Sequence, residues 1–195
     1  MQTAFLELYE GEHALVAGPA RSGKSTVLLG LAETLRRART PDGRPPLVYG
    51  LCQRRSPLGR AALDRVAVGP DEVAALVASV RMARGPVVLL VDDAEQFDDS
   101  DASLAGLLGA GLPNLHIVAA GRSDDLKSLY SHWTKTLRKA RAGVLLQPNV
   151  DYDGDLLGVV LPEWLRFAGS LYLIIFATIV MLLLIACPQG MSGLL

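Results

Sequence analysis

The sequence predicts an α/β fold in which a mostly parallel sheet is covered by helices on both faces. Short apolar runs alternate with longer segments of helical spacing between residues 13 and 148. Such alternation is typical of parallel sheets, whose strands are joined by crossing helices. Half of the 195 residues are hydrophobic and 20% are charged, which favours one folded domain with a proper core and excludes a disordered chain.

Five apolar runs are short enough to be buried strands. The predicted strands are residues 13–18, 47–52, 86–95, 115–121 and 143–148. The segments between them have helical spacing or carry capping residues. The predicted helices are residues 24–39, 71–84, 100–111 and 123–141. Ser100 is the expected cap of the third helix, and a Ser or Asp that of the fourth. Because ligands of parallel sheets bind at the carboxyl ends of strands, the chemistry is expected just after residues 17, 91 and 120.

The first strand and first helix are joined by a glycine-rich turn of the form G-x-x-x-x-G-K-[ST]. Its residues are Gly18, Pro19, Ala20, Arg21, Ser22, Gly23, Lys24 and Ser25, with Thr26 following. Glycines let backbone N–H groups converge on a phosphate at a helix N-terminus. The motif therefore predicts a P-loop nucleotide site, with Lys24 reaching the β- and γ-phosphates and the Ser25 hydroxyl holding Mg²⁺. The α/β domain is accordingly expected to be a three-layer P-loop NTPase fold that binds ATP.

The apolar strand VVLLV ends in Asp92 and Asp93, a Walker B pattern. Asp92 is predicted to hold Mg²⁺, usually through water. Asp93 stands where hydrolytic enzymes of this type commonly carry a glutamate, and we expect it to be the catalytic base. Its side chain is one methylene shorter, and misplacement of a base by about an ångström costs on the order of 10²-fold in rate. The other acids of this run, Asp98, Asp99 and Asp101, are expected to be solvated.

Arg122 follows the strand 115–121 and has two open interpretations. It either contacts the γ-phosphate, in its own chain or as a finger for a neighbouring subunit, or makes an ion pair with Asp124 or Asp125 on the surface. A basic segment follows, with five bases and no acid between residues 127 and 141. That segment either holds DNA phosphates, lies at a subunit interface or is simply solvated.

The C-terminal part of the chain predicts a membrane segment. Residues 167–187 are 21 residues without a charge, enough for a helix of about 30 Å that crosses one hydrocarbon core. Trp164, Arg166 and Tyr172 flank its start as interfacial anchors do. The alternatives are a buried core helix or an accident of the reading frame. The N-terminus has no signal-peptide pattern, and Cys52 and Cys187 do not form a disulfide framework.

Four segments together resemble the C-terminal ATPase modules of FtsK/SpoIIIE-type proteins, in particular the multi-ATPase component of type VII secretion in actinobacteria. They are HALVAGPARSGKST, VVLLVDDAEQFDD, HIVAAGRSDDLKSLYSHWTKTLRKARAGVLLQP and DYDGDLLGVVLP. The resemblance covers about residues 5 to 162. It implies a RecA-like core, ATP with Mg²⁺, a homo-oligomeric ring or tandem ATPase modules, and movement of DNA or of a secreted protein at a membrane.

The sequence departs from that family at three points. Asp93 replaces the usual glutamate, and Gly121 with Arg122 occupies a position that often carries a glutamine. The chain also begins within the motor module and has its apolar segment at the opposite end. Two functions therefore stay open: an Mg²⁺-dependent ATPase that moves DNA or protein, or a module that binds ATP without hydrolysing it and regulates assembly of a larger machine.

The sequence predicts an ATPase domain at 1–163, a transmembrane helix at 164–187 and a tail at 188–195, with the ATPase domain on the cytoplasmic side of the cell membrane. We expect the full chain to sediment with membranes and residues 1–163 to remain in the supernatant, as fractionation measures. Sedimentation of neither form would mean that residues 167–187 are a core helix.

Overall fold

The computed structural model describes residues 9–40, 43–139, 142–149 and Leu156. A six-stranded sheet with every neighbouring pair parallel runs through them, in the order β3-β2-β4-β5-β1-β6. The strands are β1 (Ala14–Gly18), β2 (Leu47–Cys52), β3 (Arg65–Val68), β4 (Val87–Val91), β5 (Leu115–Arg122) and β6 (Gly143–Leu145). The predicted α/β fold with a mostly parallel sheet is confirmed.

Five helices connect these strands. They are α1 (Lys24–Arg37), α2 (Val73–Met82), α3 (Ser103–Gly109), α4 (Ser123–Ser128) and α5 (Thr134–Lys139). Short 3₁₀ turns lie at Pro57–Arg60, Pro70–Glu72 and Ala94–Gln96. The last turn of α1 carries Arg36 and Arg37, and positive charge there stabilises the helix dipole.

The strand side chains alternate between two cores, one on each face of the sheet. Leu89 and Val91 of β4 belong to the core shared with α2 to α5, whereas Val88 and Leu90 of the same strand pack with α1 and the turn at Pro57–Arg60. Both faces are therefore covered, which explains why β1 and β4 are apolar throughout and buried at every residue. The helix α1, which follows the glycine-rich turn directly in the chain, covers one of these two faces.

The structure corrects the predicted elements at two places. No strand is predicted between residues 52 and 71, but β3 lies there; it has only four residues at the edge of the sheet, too few for a clear apolar run. The predicted helix 123–141 is two helices, α4 and α5. The segment between them is held by Trp133, whose Nε1 donates to the Phe97 carbonyl at 2.9 Å. This buried hydrogen bond outweighs the helical spacing of the sequence.

The predicted caps are also wrong. The α3 helix is capped by Asp99, whose carboxylate accepts from the backbone N–H groups of Leu104 and Ala105, and not by Ser100. The residue before α4 is Arg122, and no side chain caps that helix. Asp99 was expected to be solvated, and its role as a cap shows that part of the acidic run is structural.

The predicted membrane segment, residues 167–187, lies outside the described residues. Among the residues that the structure describes, no helix is long and apolar enough to cross a membrane.

Gly121, near the end of β5, is a point of close approach. A Cβ built on it would lie 2.7 Å from Glu95 Oε2 and 2.9 Å from Leu126 Cδ1. Leu126 is fully buried and has little room to move. A glycine at this position therefore has a steric basis, because the space beside the strand is already filled.

We expect Gly121→Ala to lower the free energy of unfolding by about 1–3 kcal/mol, since the added methyl overpacks this site. Gly30→Ala is the matched control, because Gly30 lies within α1 and a Cβ there meets nothing within 4 Å. It should stabilise the protein by about 0.5–1 kcal/mol. Urea denaturation of both variants measures the difference, and equal stabilities would contradict the overpacking.

Candidate functional site

The predicted site residues converge at the carboxyl edge of the sheet. Parallel pairing puts Gly18 at the end of β1 opposite Arg122 at the end of β5, with β4 on the other side of β5. A cavity of about 390 Å³ opens there, within the size range of small-molecule sites. Its lining residues are Ala20, Arg21, Ser22, Gly23, Lys24, Ser25, Thr26, Asp93 and Arg122.

The glycine-rich turn has the backbone that a phosphate loop requires. Arg21 and Gly23 have positive φ angles of 63° and 97°, and α1 begins at the next residue, Lys24. Gly18 has a different reason to be glycine, because a Cβ there would lie 2.6 Å from Ser22 Oγ and 2.7 Å from the Leu146 carbonyl oxygen. The turn is thus fixed at both ends, with a helix N-terminus facing the cavity.

Lys24 is held inside this turn. Its side chain is 7% exposed, and Nζ donates to the Gly18 carbonyl at 3.2 Å and to the Pro19 carbonyl at 2.8 Å. An ammonium group has three donors, so one is left for an anion in the cavity. Ser22 Oγ, also buried, has no partner among the described residues. The turn therefore holds a positive charge and an unused hydroxyl where a phosphate is expected.

The two aspartates of the Walker B segment have different environments. Asp92 is 1% exposed, and its backbone N–H donates to the Leu51 carbonyl at 2.9 Å. Its carboxylate atom Oδ2 accepts a hydrogen bond from Ser56 Oγ, whereas Oδ1 is buried without a partner among the described residues. Asp92 does not line the cavity, but Asp93 does.

Asp93 adopts a left-handed backbone, with φ of 53°, that turns its side chain away from the strand and into the cavity. Burial raises the pKa of its carboxyl group above the ordinary value, and the charge of Asp92 adds to the rise. Lys24 and Arg122 oppose it. A carboxylate with a raised pKa is a stronger base than one in water, which is the property a general base needs.

The residues present fit Mg²⁺. The ion prefers hard oxygen ligands and keeps several waters. Ser25 brings a hydroxyl to the cavity, and the unpartnered Oδ1 of Asp92 is a buried carboxylate oxygen that no cation neutralises in the described part of the chain. A hydroxyl and a carboxylate are the donor set that P-loop proteins offer to this ion.

The ion pair predicted for Arg122 is present, and the same residue lies at the cavity. Its side chain lines the cavity, and its Nε lies 3.3 Å from Asp125 Oδ2. The guanidinium is 49% exposed, so this surface pair contributes little to stability. Arg122 is therefore paired within its own chain and still adjacent to the expected phosphate position.

The bases of the basic segment differ in their surroundings. Arg138 donates to the Leu129 carbonyl at 3.0 Å and is half-buried, whereas Lys135 and Lys139 are exposed. Arg141 lies outside the described residues. Part of this segment therefore has a packing role.

Sequence reasoning missed two residues near the site, Ser56 and Glu95. Ser56 lies among arginines in a segment for which no element is predicted, although its position soon after a predicted strand is a usable signal. Glu95 ends the predicted strand 86–95, but in the structure it lies in the 3₁₀ turn after β4, with Oε2 2.7 Å from where a Cβ on Gly121 would be. Burial raises the pKa of Glu95. Burial, with the charge of Asp92, also raises the pKa of Cys52, a thiol close to Asp92.

Solved structures with the same fold include ATPases of type VII secretion. The cytoplasmic domain of the type VII secretion ATPase EccC from Thermomonospora curvata has a TM-score of 0.55 and 20% identity over 77% of this chain. ATPases 2 and 3 of EssC from Geobacillus thermodenitrificans have a TM-score of 0.51 and 20% identity over 70% of this chain. The cytoplasmic domain of EssC has a TM-score of 0.50 and 21% identity, also over 70%.

This chain spans between 20% and 31% of the length of those structures. Identity at this level shows the fold alone, and it agrees with the predicted α/β fold with a mostly parallel sheet. No family model and no curated protein matches the sequence.

We expect Asp93→Asn to raise the melting temperature at pH 7. With its raised pKa, the native chain binds more protons than the unfolded chain between the two pKa values, so stability falls as pH rises through that window. At pH 7 the full cost of the buried carboxylate is present, and the amide removes it. The gain should therefore shrink as the pH is lowered towards the ordinary value of an aspartate.

Asp98→Asn is the matched control, because Asp98 is exposed in the same acidic run and should show no comparable gain at pH 7. Melting curves from pH 4 to pH 8 measure both variants. A gain for Asp93→Asn that does not depend on pH would contradict the assignment.

Proposed function

We propose that this chain is an ATP-binding motor module of the FtsK/SpoIIIE type, related to the ATPases of type VII secretion, and that it hydrolyses ATP with Mg²⁺. The observation that carries the proposal is the single cavity in which the phosphate loop, Asp93 and Arg122 lie together. The shared fold of the EccC and EssC domains supports it.

Each residue of the cavity has a role that follows from its position. Backbone N–H groups from Ala20 to Ser25 face the α- and β-phosphates, and Lys24 contacts the β- and γ-phosphates through its remaining donor. Ser25, with Thr26 next to it in the first turn of α1, and the buried carboxylate of Asp92 would hold Mg²⁺. Bound Mg²⁺ neutralises the charge that develops on the phosphate oxygens during transfer.

Asp93 acts as the general base in this proposal. It accepts a proton from the water that attacks the γ-phosphorus, while the bond to the β–γ bridging oxygen breaks and ADP leaves. Its raised pKa favours proton acceptance, and its left-handed backbone directs the short side chain into the cavity. Arg122 stabilises the negative charge of the transition state, in its own chain or in the site of a neighbouring copy.

The module is proposed to work as part of an assembly. Half of the Arg122 side chain is exposed at the rim of the cavity, where a second copy or a tandem ATPase module has access to it. DNA or a secreted protein is the translocated substrate. The helix 164–187 is proposed to anchor the chain in the cell membrane, with the ATPase domain in the cytoplasm.

The alternative is an ATP-binding module that does not hydrolyse ATP and regulates the assembly of a larger machine. The pairing of Arg122 with Asp125 favours it, because the guanidinium would have to leave this weak surface pair before it could stabilise transferred charge. The shorter side chain of Asp93 favours it as well.

Replacement of Lys24 tests the site. We expect Lys24→Ala to weaken nucleotide binding by about 10- to 100-fold, since a buried charged donor to the phosphates is removed. Isothermal titration with ATP and Mg²⁺ measures this. Lys135→Ala removes an exposed lysine of α5 and is the control that should bind as the parent chain does. Equal affinity of all three chains would refute the assignment of the loop.

ATP turnover at increasing protein concentration, with and without duplex DNA, then separates the two functions. A rate per chain that rises with concentration indicates a site completed by a neighbour, and stimulation by DNA indicates a DNA motor. Tight binding without turnover at any concentration would leave the non-hydrolysing module as the function.

A further inference from the structure

Ser56 is a buried hydroxyl in a stretch whose neighbours are exposed. Arg54, Arg55 and Pro57 face solvent, whereas Ser56 is 8% exposed. It lies after β2, directly before the 3₁₀ turn at Pro57–Arg60. A buried hydroxyl is costly unless it is hydrogen-bonded, so its partners indicate why it is there.

The partners of Ser56 fix the direction of its hydrogen bonds. Its Oγ accepts from the backbone N–H of Leu58 at 3.1 Å. The hydroxyl hydrogen is then left for Asp92, and it is donated to Oδ2 of that carboxylate. Ser56 therefore joins the turn at Pro57–Arg60 to the Walker B aspartate through one oxygen atom.

The two oxygens of Asp92 consequently differ. Oδ2 is occupied by Ser56, and Oδ1 is buried with no partner among the described residues. An unpaired buried carboxylate oxygen costs free energy, and a cation or its bound water removes that cost. The backbone N–H of Asp92 is bonded to the Leu51 carbonyl, so both the main chain and one carboxylate oxygen are held in place.

We propose that Ser56 is a positioning residue for the magnesium site. By holding Oδ2, it keeps the carboxylate of Asp92 in one orientation, in which Oδ1 stays available for Mg²⁺ or for a water bound to it. Partners that orient a metal ligand typically contribute about 10- to 100-fold to metal affinity. The inference rests on the proposed nucleotide function and adds a residue from the loop that follows β2, the strand next to the Walker B strand.

The test measures the Mg²⁺ dependence of nucleotide binding in the full chain, with a fluorescent ADP analogue as the probe. We expect Ser56→Ala to raise the Mg²⁺ concentration for half-maximal binding by about 10- to 100-fold. Affinity for the analogue in EDTA should stay as in the parent chain, because Ser56 does not line the cavity. Ser56→Thr keeps the hydroxyl, so its Mg²⁺ concentration for half-maximal binding should be close to that of the parent chain.

Ser103→Ala is the matched control. The Ser103 hydroxyl also donates to an aspartate, Asp101, but this pair is on the surface away from the cavity. This variant should leave the Mg²⁺ dependence unchanged. If Ser56→Ala does not fold, Ser56→Cys under reducing conditions keeps a similar volume with a weak donor. It should shift the Mg²⁺ dependence in the same direction by a smaller factor.

The inference is overturned if a folded Ser56→Ala or Ser56→Cys variant needs no more Mg²⁺ than the parent chain. It is equally overturned if affinity falls by the same factor with Mg²⁺ and in EDTA, because a structural role alone explains that result. Absence of nucleotide binding by the parent chain is a different result and refutes the proposed function itself.

Discussion

The parallel pairing of β1, β4 and β5 is the constraint on which the site depends. Parallel strands end at the same edge of a sheet, so residues far apart in the chain meet there without further guidance. Gly18 and Arg122 are opposite each other in the β1–β5 ladder, although more than a hundred residues separate them in the sequence. A shift of this register by one residue would turn Arg122 to the other face of the sheet.

The electrostatics of the edge follow from the same geometry. Asp92 and Asp93 are adjacent in sequence, so their carboxylates repel each other. This repulsion is one cause of the raised pKa of Asp93, after burial. The backbone at Asp93 is left-handed, and the two carboxylates are separated. That of Asp92 is hydrogen-bonded to Ser56, and that of Asp93 lines the cavity. One dipeptide thus supplies two carboxylates with different surroundings and different chemistry.

The sequence predicted the layers of the fold and the phosphate loop because both rest on local patterns. Apolar runs and helical spacing identified five of the six strands, and the glycines of the loop identified its turn. The break between α4 and α5 was not predictable in this way, because it depends on Trp133 reaching the carbonyl of Phe97, 36 residues earlier in the chain. The hydrogen bond between Ser56 and Asp92 was not predictable for the same reason, since these residues are also 36 positions apart in the chain.

The state of Lys24 has a consequence for how fast a ligand is captured. This side chain is already buried and bonded to two carbonyls of its own loop. A free lysine loses up to about 2 kcal/mol of rotamer entropy when it is fixed, and here that loss occurs when the chain folds. Under the proposed function, Lys24 has little left to order when a phosphate arrives, so fixing this side chain adds little to the cost of capture.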